Sequence, residues 1–246
     1  MTVVFEVHDD VAWVTFSRPE AHNAMTWDMY DRLVEACERI DEDPAIRVAV
    51  FAGAGGKAFV AGTDIRQFTA FETAQDGLEY ERRIDAVLDR LETVRKPTVA
   101  LVEGFAMGSG FAIAACCDLR VATPDAKFGM PIARTVGNCL SMANYVRLAA
   151  ALGSQARLKD VIFQARTVKA EEALAIGFVS EIAEREALDE YVAALCARLA
   201  DYSATTLRVT KEALRRARFV PEGDDLILEA YGSEGFRANV RAFLDR

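Results

Sequence analysis

Along this chain, short apolar blocks alternate with longer stretches of helical periodicity. Val11 to Phe16 reads as a strand, closed by the turn Ser17-Arg18-Pro19-Glu20. From Ala24 to Asp41, Met25, Met29, Leu33, Ala36 and Ile40 recur at helical spacing. That pattern predicts a helix with Thr26 as its N-cap and Asp43-Pro44 as its stop. Arg47 to Phe51 predicts a second strand, nearly all apolar, as in a parallel sheet covered on both faces. A glycine-bearing loop, 52–57, follows, and Phe59 to Gly62 then leads into a helix starting near Asp64. Residues 71–95 predict a charged amphipathic helix whose apolar stripe is Ile84, Val87, Leu88, Leu91 and Val94. Val99 to Val102 and Leu119 to Ala122 predict further strands, with a small-residue helix from Gly110 to Cys117 lying against them.

Alternation of this kind favours an α/β fold built on a parallel sheet. Beyond Glu186 the pattern changes. Glu186 to Ala200, Thr205 to Phe219 and Pro221 to Asp245 predict helices, and no strand follows. The natural division is a core of residues 1–185 and a helical C-terminal region of residues 186–246.

Composition adds exclusions. A chain of 246 residues with 52% apolar side chains forms one large domain, or a domain with a modest appendage, and is neither disordered nor collagen nor coiled coil. Twenty-nine basic against 38 acidic residues give a net charge of −9, which disfavours nucleic acid or an anionic membrane as partner. Five cysteines are an odd number without paired spacing, and the adjacent Cys116-Cys117 fits neither an ordinary disulfide nor a CxxC metal half-site. Reduced thiols follow, and with no basic segment or apolar signal core near TVVFEV, a cytoplasmic location is the expectation. The stretch from Thr98 to Cys117 carries one charge, Glu103, but Gly104, Gly108 and Gly110 interrupt it. It reads as a buried strand–turn–helix rather than a membrane span. Only two histidines occur, His8 and His22, so carboxylates are the plentiful acid–base groups.

Three segments carry a resemblance. They are Arg18-Pro19-Glu20-Ala21-His22-Asn23-Ala24-Met25, the run 53–65 from Gly53 through Lys57 and Ala61-Gly62-Thr63-Asp64 to Ile65, and Val102 through Gly108-Ser109-Gly110. Cys117-Asp118, Ala126-Lys127-Phe128-Gly129, Gly177-Phe178-Val179 and a stretch from Glu234 to Leu244 follow in order. Together these resemble the crotonase (enoyl-CoA hydratase/isomerase) superfamily over essentially the whole chain. The resemblance implies a ClpP-like spiral of ββα units with a helical C-terminal trimerisation region, assembled as a homotrimer or a dimer of trimers. It implies an acyl-CoA thioester as substrate, with coenzyme A entering as part of that substrate and no further cofactor or metal.

It also implies an oxyanion hole for a thioester enolate, with the backbone N–H groups of Thr63 and Ser109 as donors. The family more often has alanine and glycine at these two positions, but a main-chain donor tolerates the exchange. CoA and acyl contacts fall by the same likeness on Ala21, His22, Ala61, Ile65, Gly108 and Ile132. Arg18, Lys57 and Arg66 would offset the CoA phosphates against the acidic whole, and Lys211 in the helical tail resembles a position that reaches phosphates from its own or a neighbouring subunit. Asp64 is also read as a cap on the helix starting at Ile65.

Hydratases of this family hold a water between two glutamates, and the isomerases keep the second. Here those positions read Ala112 and Ile132, the latter directly after Pro131. General acid–base groups are worth about 10²–10⁴ each, so hydration by the usual route is not expected. Cys139 is weighed as a nucleophile activated by Arg134 or by the helix start near Ser141, against a small buried cysteine. Glu72, Glu79, Tyr80 and Glu81 are weighed as a lid over the pocket, against a solvated charged face. The functional expectation is an acyl-CoA enzyme working through an enolate. Its alternatives are a decarboxylase or thioester hydrolase of the same fold, or a non-catalytic acyl-CoA binder.

Overall fold

The computed structural model of the protein describes residues 2–218, and the helix expected from Pro221 to Asp245 lies outside the described residues. Strands β1 (Val3–His8) and β2 (Val11–Phe16) precede helix α1 (Trp27–Glu42). Then come β3 (Val48–Gly53), β4 (Ala58–Val60), α2 (Ala74–Glu92), β5 (Thr98–Val102), β6 (Phe105–Met107) and α3 (Ser109–Cys116). The chain continues through β7 (Leu119–Ala122), β8 (Lys127–Gly129), α4 (Met142–Ala151), α5 (Gln155–Phe163), β9 (Thr167–Lys169) and α6 (Ala170–Ala175). It closes with β10 (Glu181–Ile182), α7 (Leu188–Asp201) and α8 (Ala204–Arg216).

Two sheets result. The larger has the order β1-β2-β3-β5-β7-β10, parallel except for the β1–β2 hairpin. The smaller, in the order β4-β6-β8-β9, is parallel through its first three strands and antiparallel at its last pair. Every residue of β5 is buried, as the apolar run predicts for a strand covered on both faces. One face of the large sheet meets α1 and α2 through Met29, Leu33, Ile40, Ile84 and Leu88. The other meets α7, whose Leu188, Val192 and Leu195 pack on Val48, Val50, Val99 and Val121. Part of the C-terminal helical region therefore completes the core rather than standing apart from it.

Local chemistry fixes the helices as the sequence suggests. Thr26 caps α1 by accepting from Met29 N at 3.4 Å. Asp76 accepts from Thr73 N at 2.7 Å at the start of α2. The small-residue helix α3 lies tight on β4, because a Cβ at Gly110 would fall 2.0 Å from the Val60 carbonyl oxygen. Thr98 to Cys117 is β5, β6 and α3, and no helix among the described residues is long and apolar enough to cross a membrane.

One buried cation sets the far end of α3. The Arg120 guanidinium donates to the carbonyls of Cys117 at 2.6 Å, Ala114 at 3.2 Å and Asp118 at 3.3 Å, and to that of Phe178. A cation at a helix C-terminus satisfies orphan carbonyls and opposes the dipole. Arg120→Met would leave these carbonyls without donors in the interior. We expect it to lower stability by about 3 kcal/mol, measured as a fall in the urea midpoint at unchanged slope.

Candidate active site

The carboxyl ends of the parallel strands β4, β6 and β8 open onto a cavity of about 620 Å³. Ends of parallel strands are where α/β folds place ligands, since the connecting loops diverge there. Ala61, Gly62 and Thr63 wall it after β4, and Gly108, Ser109 and Ala112 wall it at the start of α3. Met130, Ile132 and the following segment to Leu140 form the opposite side, and α2 contributes Tyr80, Glu81 and Ile84.

Backbone geometry leaves two donors unspent. Gly62 and Gly108 hold φ of 117° and 55°, values open to glycine and strained for other residues. Gly62 O accepts from Met25 N at 2.8 Å and Asp64 N donates to Met25 O at 2.9 Å, so Thr63 is clamped between two bonds that do not use its own N–H. Gly108 N donates to Gly129 O at 2.9 Å, while Ser109 opens α3. Among the described residues, neither the Thr63 nor the Ser109 N–H has a protein acceptor. Ser109 Oγ is likewise buried without a hydrogen bond.

A hydroxyl chain supports the first of these loops. Thr63 Oγ1 lies 2.7 Å from Tyr30 Oη and 2.8 Å from Tyr80 Oη, linking the loop after β4 to both α1 and α2. Burial pushes the Tyr30 phenol up to about 12 and Tyr80 further in the same direction, so both remain protonated. Phe68, Phe71, Tyr80 and Trp27 stack edge to face around this chain.

Glu81 brings a carboxylate to the cavity, where its charged neighbours in the sequence suggest a solvated face. Its Oε2 accepts from Ser141 N at 2.9 Å, while Ser141 Oγ donates to Asp85 Oδ1 at 2.6 Å, one turn further along α2. Burial pushes the Glu81 carboxyl up to about 7; the Ser141 N–H opposes that shift and the charge of Asp85 adds to it. A signal was present in the chain: residue 81 precedes Ile84 by three and Leu88 by seven, on the buried stripe of the helix. A charge on an apolar stripe points inward. Glu72 and Glu79 remain exposed.

Other expected contacts sort differently. Thr63, Ser109, Ala61, Ile65, Gly108 and Ile132 line the cavity, as does Ala112. Asp64 accepts from Arg66 N at 3.2 Å, capping the 3-10 turn Ile65–Ala70. Its carboxylate also pairs with Arg66 at 2.5 Å and Arg18 at 2.9 Å, and these cations hold it well below the usual carboxylate range, Arg66 foremost. Arg18 and Arg66, expected at the CoA phosphates, are thus already engaged, and Arg18 is largely buried. Lys211 is engaged within its own chain as well. Its Nζ donates to Asp118 Oδ2 at 2.8 Å and the Lys96 carbonyl at 3.3 Å, outside the cavity. Ala21 sits half-buried in the 3-10 turn Pro19–Ala21, outside the cavity walls.

Lys57 stays exposed and meets His22 in a second cavity of about 530 Å³, at the opposite ends of the same short strands. Lys127 and Lys169 join them there, which sequence reasoning missed, together with Asp125 and Glu171. Cys139 is exposed rather than a small buried cysteine, and it lines a neighbouring cavity, not the one that holds Thr63 and Ser109.

The two sheets, the glycine-shaped loops and the cavity at the strand ends define a crotonase-fold protein. An enoyl-CoA hydratase/isomerase family model matches residues 6–226. The chain is 33% identical to the short-chain-enoyl-CoA hydratase of Clostridium acetobutylicum over 87% of its own length and 81% of that protein's. It is 33% identical to the (E)-benzylidenesuccinyl-CoA hydratase of Thauera aromatica, covering 90% of this chain and 85% of that one. The solved structure of an enoyl-CoA hydratase/carnithine racemase from Magnetospirillum magneticum superposes with a TM-score of 0.91 at 28% identity, over 100% of this chain and 93% of that one. The chain belongs to the enoyl-CoA hydratase/isomerase family.

Proposed function

We propose that the protein is an acyl-CoA enzyme that holds the thioester carbonyl between the N–H groups of Thr63 and Ser109 and works through the thioester enolate. The observation carrying this reading is the pair of N–H groups without internal acceptors in one apolar cavity, the second at the start of a helix. Negative charge growing on the carbonyl oxygen would meet donors fixed by the fold, with no reorganisation to undergo.

The acyl group is apolar and longer than a few carbons. Ile65, Phe68, Ile84, Met107, Met130 and Ile132 supply the walls. A neighbouring cavity of about 780 Å³ shares Phe68, Tyr80, Glu81, Val136, Asn138 and Leu140 with the first, giving the chain room to continue. The nucleotide is assigned to the separate cavity at the other ends of these strands, where Lys57, His22, Lys127 and Lys169 gather beside Asp125 and Glu171. With Ala112 and Ile132 at the glutamate positions, water addition between two glutamates does not follow, and the family's enolate chemistry does.

Titrating the protein with butyryl-CoA and decanoyl-CoA tests the acyl assignment. Each buried methylene contributes roughly 0.8 kcal/mol, so decanoyl-CoA is expected to bind at least ten times more tightly. Equal affinities would remove the long-chain assignment. Incubation with a 3-enoyl-CoA in D2O then tests the enolate itself. Conversion, or deuterium entering the acyl chain, supports the enzyme, whereas tight binding with neither conversion nor exchange identifies a non-catalytic acyl-CoA binder.

A further inference from the structure

We propose that Glu81 is the proton-transferring carboxylate of this site, taking the place of the two glutamates whose positions read Ala112 and Ile132. The inference rests on the enolate reading and names the group that reading lacks. Among the described residues, Glu81 is the one carboxylate lining the cavity that contains Thr63, Ser109, Ala112 and Ile132. Its helix is fixed against the site, because the adjacent Tyr80 hydroxyl lies 2.8 Å from Thr63 Oγ1. Its position is fixed from the opposite wall, because the Ser141 N–H holds Oε2 at 2.9 Å. That contact leaves the other carboxylate oxygen, Oε1, without a hydrogen bond among the described residues.

Groups around Glu81 suit a base that must also give its proton back. Asp85 lies one turn along α2 and is tied up by Ser141 Oγ, with Arg147 of α4 at 4.0 Å. Arg147 itself is spent on Asp89 at 2.6 Å and Glu92 at 3.2 Å, and among the described residues no cation pairs with Glu81. Tyr30 of α1 and Tyr80 stay protonated at neutral pH, Arg82 lines only the neighbouring cavity, and of the 131–141 segment Ile132, Thr135, Val136, Asn138 and Leu140 line the cavity while Arg134 and Cys139 do not. A carboxyl without a cation and with restricted water exchanges its proton near neutrality, where a paired one would stay ionised.

The step balances with one residue. The Glu81 carboxylate takes a proton from Cα of a 3-enoyl thioester, forming an O–H bond as the C–H bond breaks. The released electron pair becomes a dienolate whose charge rests on the thioester oxygen between the two N–H donors. Delivery of a proton from the Glu81 carboxyl to Cγ breaks the O–H bond, leaves the double bond conjugated with the thioester and restores the carboxylate, and exchange of that O–H with solvent before delivery, or its return to Cα, carries deuterium into the chain. No water is consumed, which is why one carboxylate suffices where hydration uses two. The reaction class is an allylic proton shift with exchange at Cα.

The test compares the full-length protein with Glu81→Gln and Glu81→Asp on a 3-enoyl-CoA in D2O, from pH 5 to 9. Conversion is followed by absorbance of the conjugated product and exchange by mass spectrometry, with acyl-CoA affinity measured alongside. The wild type is expected to gain rate through an inflection near pH 7. Glu81→Gln is expected to lose at least a hundredfold and the inflection together, at acyl-CoA affinity within threefold of wild type. Glu81→Asp is expected to recover part of the rate and the inflection, which also covers a misfolded glutamine variant. Wild-type rate and pH profile in Glu81→Gln would overturn the assignment and leave the enolate reading standing. A wild type that binds acyl-CoA yet neither converts nor exchanges it would overturn both.

Discussion

Ser109→Pro is expected to lower kcat by roughly 10²–10³-fold, the loss that accompanies deletion of one oxyanion donor. Proline removes the N–H at a position where the helix itself makes no use of it. Ser109 is the first residue of α3, where the amide has no intrahelical acceptor and the proline φ suits the helix. Its buried hydroxyl makes only a weak approach to the Tyr30 phenol, and the alanine variant removes that approach as well and so controls for it. The residue before it is Gly108, whose freedom of φ and ψ relieves the restriction that proline places on its predecessor. Because the ground-state carbonyl carries little charge, acyl-CoA affinity should fall far less than kcat. Ser109→Ala, which keeps the N–H, should lose less than tenfold. Single-turnover kinetics with separate binding titrations would separate the two effects. Equal losses in the alanine and proline variants would mean that the backbone donor is not what the site uses.

How much of this was legible in the chain depends on the length of the pattern. Helices α1, α2 and α7 repeat their apolar spacing over several turns, and the expected stripes are the buried ones. Strands β4, β6, β8 and β9 have three residues each, too few for a period of two to register. Their sheet could be reached only through the resemblance. Yet it is this sheet whose strand ends open the cavity. The loop residues of the site were legible because glycines with φ of 117° and 55° leave a sequence mark at Gly62 and Gly108. The charges were not. Arg18 and Arg66 stand on the expected loops but are bound by Asp64, a partner one of them meets only across 46 positions of sequence. Lys211 finds Asp118 across 93. Charge partners distant in sequence leave no periodic trace, and for the same reason Lys127 and Lys169 joined Lys57 and His22 in the second cavity unannounced. Of the four α2 residues weighed as a lid, Tyr80 and Glu81 line the cavity while Glu72 and Glu79 stay exposed, a distinction that the many exposed charges of α2 conceal.

Glu81→Gln should raise the thermal midpoint at pH 8 and leave it nearly unchanged at pH 4.5. The sign follows from the effect of burial on the carboxyl. Burial raises the folded-state value to about 7 from an ordinary 4.5, so the native protein holds the proton more tightly than the unfolded chain does. Between those two values stability declines as pH rises, and above about 7 the whole cost of an ionised Glu81 is present. Glutamine has no charge to desolvate and can still accept from the Ser141 N–H, so it escapes that cost. A tenfold change in proton affinity corresponds to about 1.36 kcal/mol, but the partly wet carboxylate is screened, and about 1–2 kcal/mol is the expected gain. For a chain of this size that is roughly 2–8 °C in midpoint. Scanning fluorimetry of both proteins from pH 4.5 to 8 would read it, as curves that meet in acid and separate towards neutrality. A constant offset at every pH would mean that Glu81 keeps an ordinary pKa in the fold. A carboxylate that costs stability where glutamine does not would agree with the proton-transfer role proposed for Glu81.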